Sequence, residues 1–290
     1  MDPSGILHHP IFESVLLPLA LAFLLAGVLR MTAGPGRAGA AVGIAVLASV
    51  AWMSGWSTRP AGVMQKLPWI LALAWMAGLV LDRRRFGVFV RWLALLACWL
   101  AASWWMDAAS FGRATAFGLL GGLVIALQLR SAPERADGVA MSVVAALGLA
   151  ALAFQAGSLA LFQLCLILAA ALGGAALWLW PRSRILYGTA ALAVACIGWL
   201  ALAQATALLL PARPASLGLL ALAFSAAAVA TPVIRRMAVR TRGLAAPLVV
   251  AFLAAASVSA ALSLQDVAGS DGGPATGASA VEDDAYYPAR

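Results

Sequence analysis

Charge is what this chain has least of. Only 10% of its 290 residues are Asp, Glu, Lys or Arg, where a soluble globular domain carries about 25%. An ordinary water-facing surface is thereby excluded. Lysine is almost missing: of 19 basic residues, only Lys66 is not arginine. Histidine is confined to the adjacent pair His8 and His9, without the HxxxH or HExxH spacing that turns two imidazoles toward one metal. Three cysteines, Cys98, Cys165 and Cys196, form no CxxC or Cys/His pattern and read as small apolar core residues. No GxSxG, Walker-type or dinucleotide-binding loop occurs. The sequence therefore points to no catalytic residue, no metal and no cofactor.

What is present is hydrocarbon. Hydrophobic residues make up 64% of the chain, and its mean hydropathy is +0.97. A bilayer core of about 30 Å needs roughly 20 apolar residues per helix. Ten such stretches can be laid out, at 10–29, 39–56, 67–81, 88–106, 114–129, 139–154, 158–180, 185–210, 215–233 and 244–264. The pattern predicts an all-α polytopic integral membrane protein, a bundle of about ten transmembrane helices. Gly34-Pro35-Gly36 marks a turn after the first, and Pro60, Pro133, Pro181, Pro211 and Pro214 mark others. The run 138–180 is apolar almost throughout and too long for one tilted helix. Gln155-Ala156-Gly157-Ser158 is its one tight turn. The leader Met1–Pro10 holds Asp2 and no Arg or Lys, so the first stretch reads as a retained span and not a cleaved signal.

Counting basic residues by loop orients the bundle. Loops after odd-numbered spans, with span-edge arginines, hold 14 of them, and the other loops with the tail hold 5. Lys and Arg favour the cytoplasmic side, so both termini are expected on the outer, periplasmic side. The arginine bias and heavy alanine content suggest a high-GC bacterial genome, and hence a multi-pass protein of the bacterial inner membrane. The basic residues stand singly or in short groups at helix ends, which argues against nucleic acid as a partner. The partners expected are the lipid bilayer and, within it, other membrane proteins or further copies of the chain. Residues 1–264 form the transmembrane domain on this reading. Residues 265–290, with Asp266, Asp271, Glu282, Asp283 and Asp284 among Gly, Ala and Ser, have the composition of an acidic disordered tail.

Polar and aromatic residues of the first half gather toward the outer end: His8, His9 and Glu13, then Arg59, Lys66, Trp104, Trp105 and Asp107. One reading is an interfacial belt of tryptophans and snorkelling charges. The other is a site for substrate or partner. Glu13 stands five residues before Pro18, which removes a helical N–H and is expected to kink the span. An ionisable residue inside the bilayer usually has a partner, and Lys66 is the candidate. Among glutamines, Gln163 and Gln204 are the best placed for burial and interhelical hydrogen bonds. Gly118 with Gly122, and Ala169 with Gly173, have small-residue packing spacings.

Charged residues within the spans reduce to Glu13 and the boundary residues Arg91 and Asp107, which argues against a charge-lined channel. Length and helix count are similar to those of ten-helix drug/metabolite exporters, but those keep both ends in the cytoplasm, the reverse of this charge pattern. Three functions fit. The first is binding or translocation of a small apolar or amphipathic solute through an outer vestibule of the first four helices. The second is a non-catalytic structural or assembly subunit of a larger membrane complex. The third is a membrane enzyme with Glu13, Asp107 and His9 as an outer-face acid/base set. For the topology, reporter fusions after Phe86, Ala136, Ser183 and Ala238 are expected to behave as cytoplasmic and those after Pro60, Ala108 and Arg213 as external. Two reversals would overturn the orientation.

Overall fold

In hydrocarbon every backbone N–H and C=O must be satisfied within the protein, and an open chain of this composition does so only as helices. A computed structural model describes residues 11–83, 86–107, 110–130, 136–180, 183–210, 212–237 and 239–271, and among these there is no strand. Ten helices follow one another: α1 Phe12–Ala33, α2 Ala38–Ser54, α3 Val63–Arg83, α4 Val88–Met106, α5 Phe111–Leu129, α6 Asp137–Gln155, α7 Leu159–Leu179, α8 Thr189–Leu209, α9 Pro214–Arg236 and α10 Val239–Asp271. All but α2 are long and apolar enough to cross a membrane. The chain is an all-α polytopic membrane protein, and each expected span has its helix.

The apolar run 138–180 is divided where its one polar turn lies. Gly157 takes φ 84°, which a side chain would strain, and lets the Ser158 amide reach the Ala153 carbonyl (3.0 Å) and its own amide the Phe154 carbonyl (2.9 Å). These are the two bonds of a Schellman stop. Ser158 then accepts from Leu161 N–H to open α7. The kink expected at Pro18 takes another form: α1 opens as a π-helix over Phe12–Leu16, one residue wider per turn, just ahead of the proline. Helix α3 runs past the expected end at residue 81 and carries Asp82 in its last turn. Helix α10 runs on to Asp271, and residues 272–290 lie outside the described residues.

Helix α8 is the axis of the bundle. Of its apolar window 83% is buried, against 22% in α1, α4 and α10, so it is sheathed by other helices while those three face lipid. Small residues make this possible. Gly78 of α3 meets Ala190 and Thr189 of α8 backbone to backbone, so that a Cβ there would strike Ala190 Cα. Gly174 of α7 stands in the same way against Leu19 and Ala22 of α1. The neighbouring Gly173, the expected contact glycine, has nothing within 4 Å of a Cβ. Gly118 and Gly122 both face α4, at Leu100 and Leu96.

Tryptophan supplies directional bonds across these seams. Indole N–H groups donate to backbone carbonyls of neighbouring helices: Trp75 to Ala40 (3.1 Å), Trp92 to Gly122 (3.0 Å), Trp99 to Phe117 (2.9 Å), Trp178 to Phe23 (2.9 Å) and Trp199 to Ala145 (3.0 Å). Glycine makes room for two of them, since a Cβ on Gly43 would collide with Trp75 and one on Gly121 with Trp99. Gln204 donates to Ser103 O (3.2 Å), and Gln128 to Gly138 O (3.0 Å) and to Ser142 Oγ. Gln128 and Gln204 are fully buried, whereas Gln163 is only half-buried. Such bonds contribute about 0.6 kcal/mol each in membrane proteins. Gly78→Ala and Gly174→Ala are expected to destabilise by about 1–3 kcal/mol through overpacking, with Gly173→Ala near neutral. Thermal unfolding in mild detergent measures all three.

Candidate functional site

The two ends of the bundle differ in charge. Arg30, Arg37, Arg83, Arg91, Arg130, Arg184, Arg235 and Arg236 lie at one end, and Arg59, Lys66, Arg113 and Arg213 at the other. Each end holds a distinct set of candidate residues.

At the arginine-poor end, side chains singled out in the sequence act as fasteners. The Lys66 ammonium at the start of α3 donates to the Trp105 carbonyl in the last turn of α4 (2.8 Å) and lies 5.7 Å from the centre of the Trp105 ring. A cation there meets the negative end of the α4 dipole. Asp107, directly after α4, is buried and bonds Arg113 in the first turn of α5 (Nε to Oδ2, 3.0 Å). The Lys66 and Asp107 contacts tie α3, α4 and α5 together at this end. Trp69 donates to Ser57 O (2.9 Å) and meets Trp56 edge-on, pinning the loop between α2 and α3. Gln65 reaches back to the amides of Ala61 and Gly62, as the acceptor of a capping box does.

Arg59 is exposed in that loop, and Trp104 and Trp105 are exposed on α4. Glu13 is half-buried in the π-helical opening of α1, which packs on α7 and α2, while Lys66 engages α4. His8 and His9 lie outside the described residues. The structure thus joins Lys66 to Trp105 and Asp107 to Arg113, in separate contacts on neighbouring helix ends. Among the described residues no three His, Cys, Asp or Glu side chains converge as a metal site requires.

The arginine-rich end holds a cavity of about 600 Å³. It is a crevice between the end of α1 and the end of α3, backed by the start of α2. Leu29, Ile44, Trp75 and Leu79 give it apolar walls, and Arg37, Asp82 and Arg83 bring charge to it. Its walls are held from behind. The Trp75 indole is fixed to Ala40 O, Leu186 N–H donates to Pro35 O (3.0 Å), and Gly39 lies against the backbone of Leu186 and Gly188.

Asp82 is the pivot of this end. Its Oδ1 accepts from Thr189 N–H (2.7 Å) and its Oδ2 from Ala190 N–H (2.9 Å). Both are among the first amides of α8, which have no intrahelical partner. A carboxylate here also complements the positive end of the α8 dipole. Asp82 falls one residue past the expected span 67–81 and is not among the residues singled out in the sequence. One signal was available: an acid in the last turn of a helix opposes that helix's own dipole, so it implies the start of another helix nearby.

No protein-family model matches the chain, and no curated protein is significantly similar to it. For Asp82, replacement by Ala is expected to cost about 1–2 kcal/mol, as loss of a helix cap does, and Asp82→Asn less, because a carbonyl acceptor remains. Chemical denaturation in detergent measures the first effect. Faster hydrogen exchange at the amides of Thr189 and Ala190 localises it, and unchanged exchange in Asp82→Ala would rule out the cap.

Proposed function

We propose that this membrane protein binds a small amphipathic solute in the crevice between α1, α2 and α3, as a carrier or receptor for it. The supporting observation is the cavity itself. Its volume of about 600 Å³ falls in the range of roughly 300–1,000 Å³ that accommodates small molecules. Apolar walls with a few charged groups are the lining such sites use to hold and orient a ligand. At the opposite end Lys66, Asp107 and Arg113 are engaged in tying helices together, which favours the arginine-rich end as the candidate. On the charge asymmetry we assign that end to the cytoplasm, in a bacterial inner membrane, so the solute meets the protein from the cytoplasmic leaflet or the cytosol.

A thermal-shift screen of purified protein against small amphipathic solutes tests this reading. Binding to the folded state alone raises stability by about 2.7 kcal/mol at a hundredfold excess over Kd, so the transition should move by several degrees. Leu79→Trp, which fills the crevice, is expected to keep the unliganded transition and abolish the shift. A wild-type protein that responds to none of the solutes but co-purifies with a constant set of membrane partners would instead identify an assembly subunit.

A further inference from the structure

We propose that the solute is an anionic amphiphile, with a phosphate, sulfonate or carboxylate head at Arg37 and Arg83 and a short hydrocarbon body against Leu29, Ile44, Trp75 and Leu79. This rests on the crevice being the binding site and names the class of ligand it takes. Arg37 and Arg83 both line the cavity and are exposed, and neither guanidinium has a protein partner among the described residues. Arg30, at the same end of the bundle, is engaged differently, stacked over Trp178 at 5.5 Å.

The one carboxylate in the lining, Asp82, directs both oxygens at the first amides of α8. Its negative charge is thus set against the positive end of that helix. Two unpaired guanidinium groups therefore dominate the cavity mouth, and planar forks of N–H donors match phosphate and carboxylate oxygens. Below them the walls offer a hydrocarbon body an apolar surface and no unpaired donor, because the Trp75 N–H is already committed to Ala40 O. A cationic amphiphile would meet repulsion at the mouth. A neutral one would leave both guanidinium groups without a counter-charge.

The same head occurs on diffusible solutes and on anionic lipids. Exposed apolar residues beside the lining, Val28 on α1 and Met76 and Val80 on α3, bring the crevice to the lipid-facing surface, so either source has access.

The test is equilibrium binding of octyl phosphate to the full chain in phosphatidylcholine nanodiscs, corrected for empty discs. Saturable binding is expected, with none for octyltrimethylammonium. Arg37→Gln and Arg83→Gln should each weaken binding by roughly threefold, and the double variant by on the order of tenfold, the equivalent of about 1.4 kcal/mol. Arg30→Gln should leave it unchanged. Should the double variant fold poorly, the single variants and retained binding in Arg37→Lys/Arg83→Lys carry the test. Competition by phosphatidylglycerol in the disc would identify a lipid head as the source, and undiminished binding there a diffusible anion. Both outcomes support the proposed chemistry. Equal loss in Arg30→Gln would reduce the effect to the general surface field and overturn it. Binding that Leu79→Trp abolishes but the arginine substitutions spare would overturn the anionic class and leave the crevice as the site. Binding indifferent to Leu79→Trp and to the arginines would remove both.

Discussion

Helix α8 begins in the interior, with Thr189 only 4% and Ala190 0% exposed. Its first amides must therefore find acceptors in the protein, and the two oxygens of Asp82 supply them at 2.7 and 2.9 Å. Much of the arrangement follows from this contact. It sets the end of α3 against the start of α8, in register with the Gly78–Ala190 approach one turn earlier in α3. It commits both oxygens of the acid in the cavity lining to backbone amides. The same residue closes the core and determines the charge of the crevice beside it.

Between the helix ends, cohesion comes from close approach and not from hydrophobic segregation, since lipid is as apolar as leucine. Glycine and alanine bring backbones together. Indole N–H groups then bond to carbonyls that already accept within their own helix. Trp99 and Trp199 are fully buried in this role, and Trp199 also meets Phe224 edge-on at 5.1 Å. Tryptophan thus has two distributions here. One set, including Trp52, Trp104 and Trp105, is exposed, as an interfacial belt requires. The other joins helix to helix in the interior.

Few charges lie within the helices, and two near helix ends answer the ends of other helices: Lys66 the carbonyl end of α4, Asp82 the amide end of α8. The Asp107–Arg113 pair spans the turn between α4 and α5. Such contacts fix the order of helices where the apolar pattern, nearly uniform along α7 and α8, offers little direction. Arg37 and Arg83 border the open crevice between α1 and α3, where nothing described in the protein answers them.

The sequence by itself determined the class of fold, the number of helices and the break at Gly157, because hydrocarbon thickness, turn residues and the demand for satisfied backbone act locally. The asymmetry of arginine between the two ends was equally legible, being a matter of counting loops. Which glycine faces a neighbour was not. Gly173 and Gly174 differ by one position on a helix that is apolar all round, and only packing against α1 selects Gly174. The buried role of Gln128 and the cap made by Asp82 also lay beyond the sequence, because their partners, Gly138 with Ser142 and Thr189 with Ala190, are set by which helices come together. The crevice depends on three helix ends meeting around Leu29, Ile44, Trp75 and Leu79. No periodicity records such a meeting, so tertiary structure alone decided where a ligand has room.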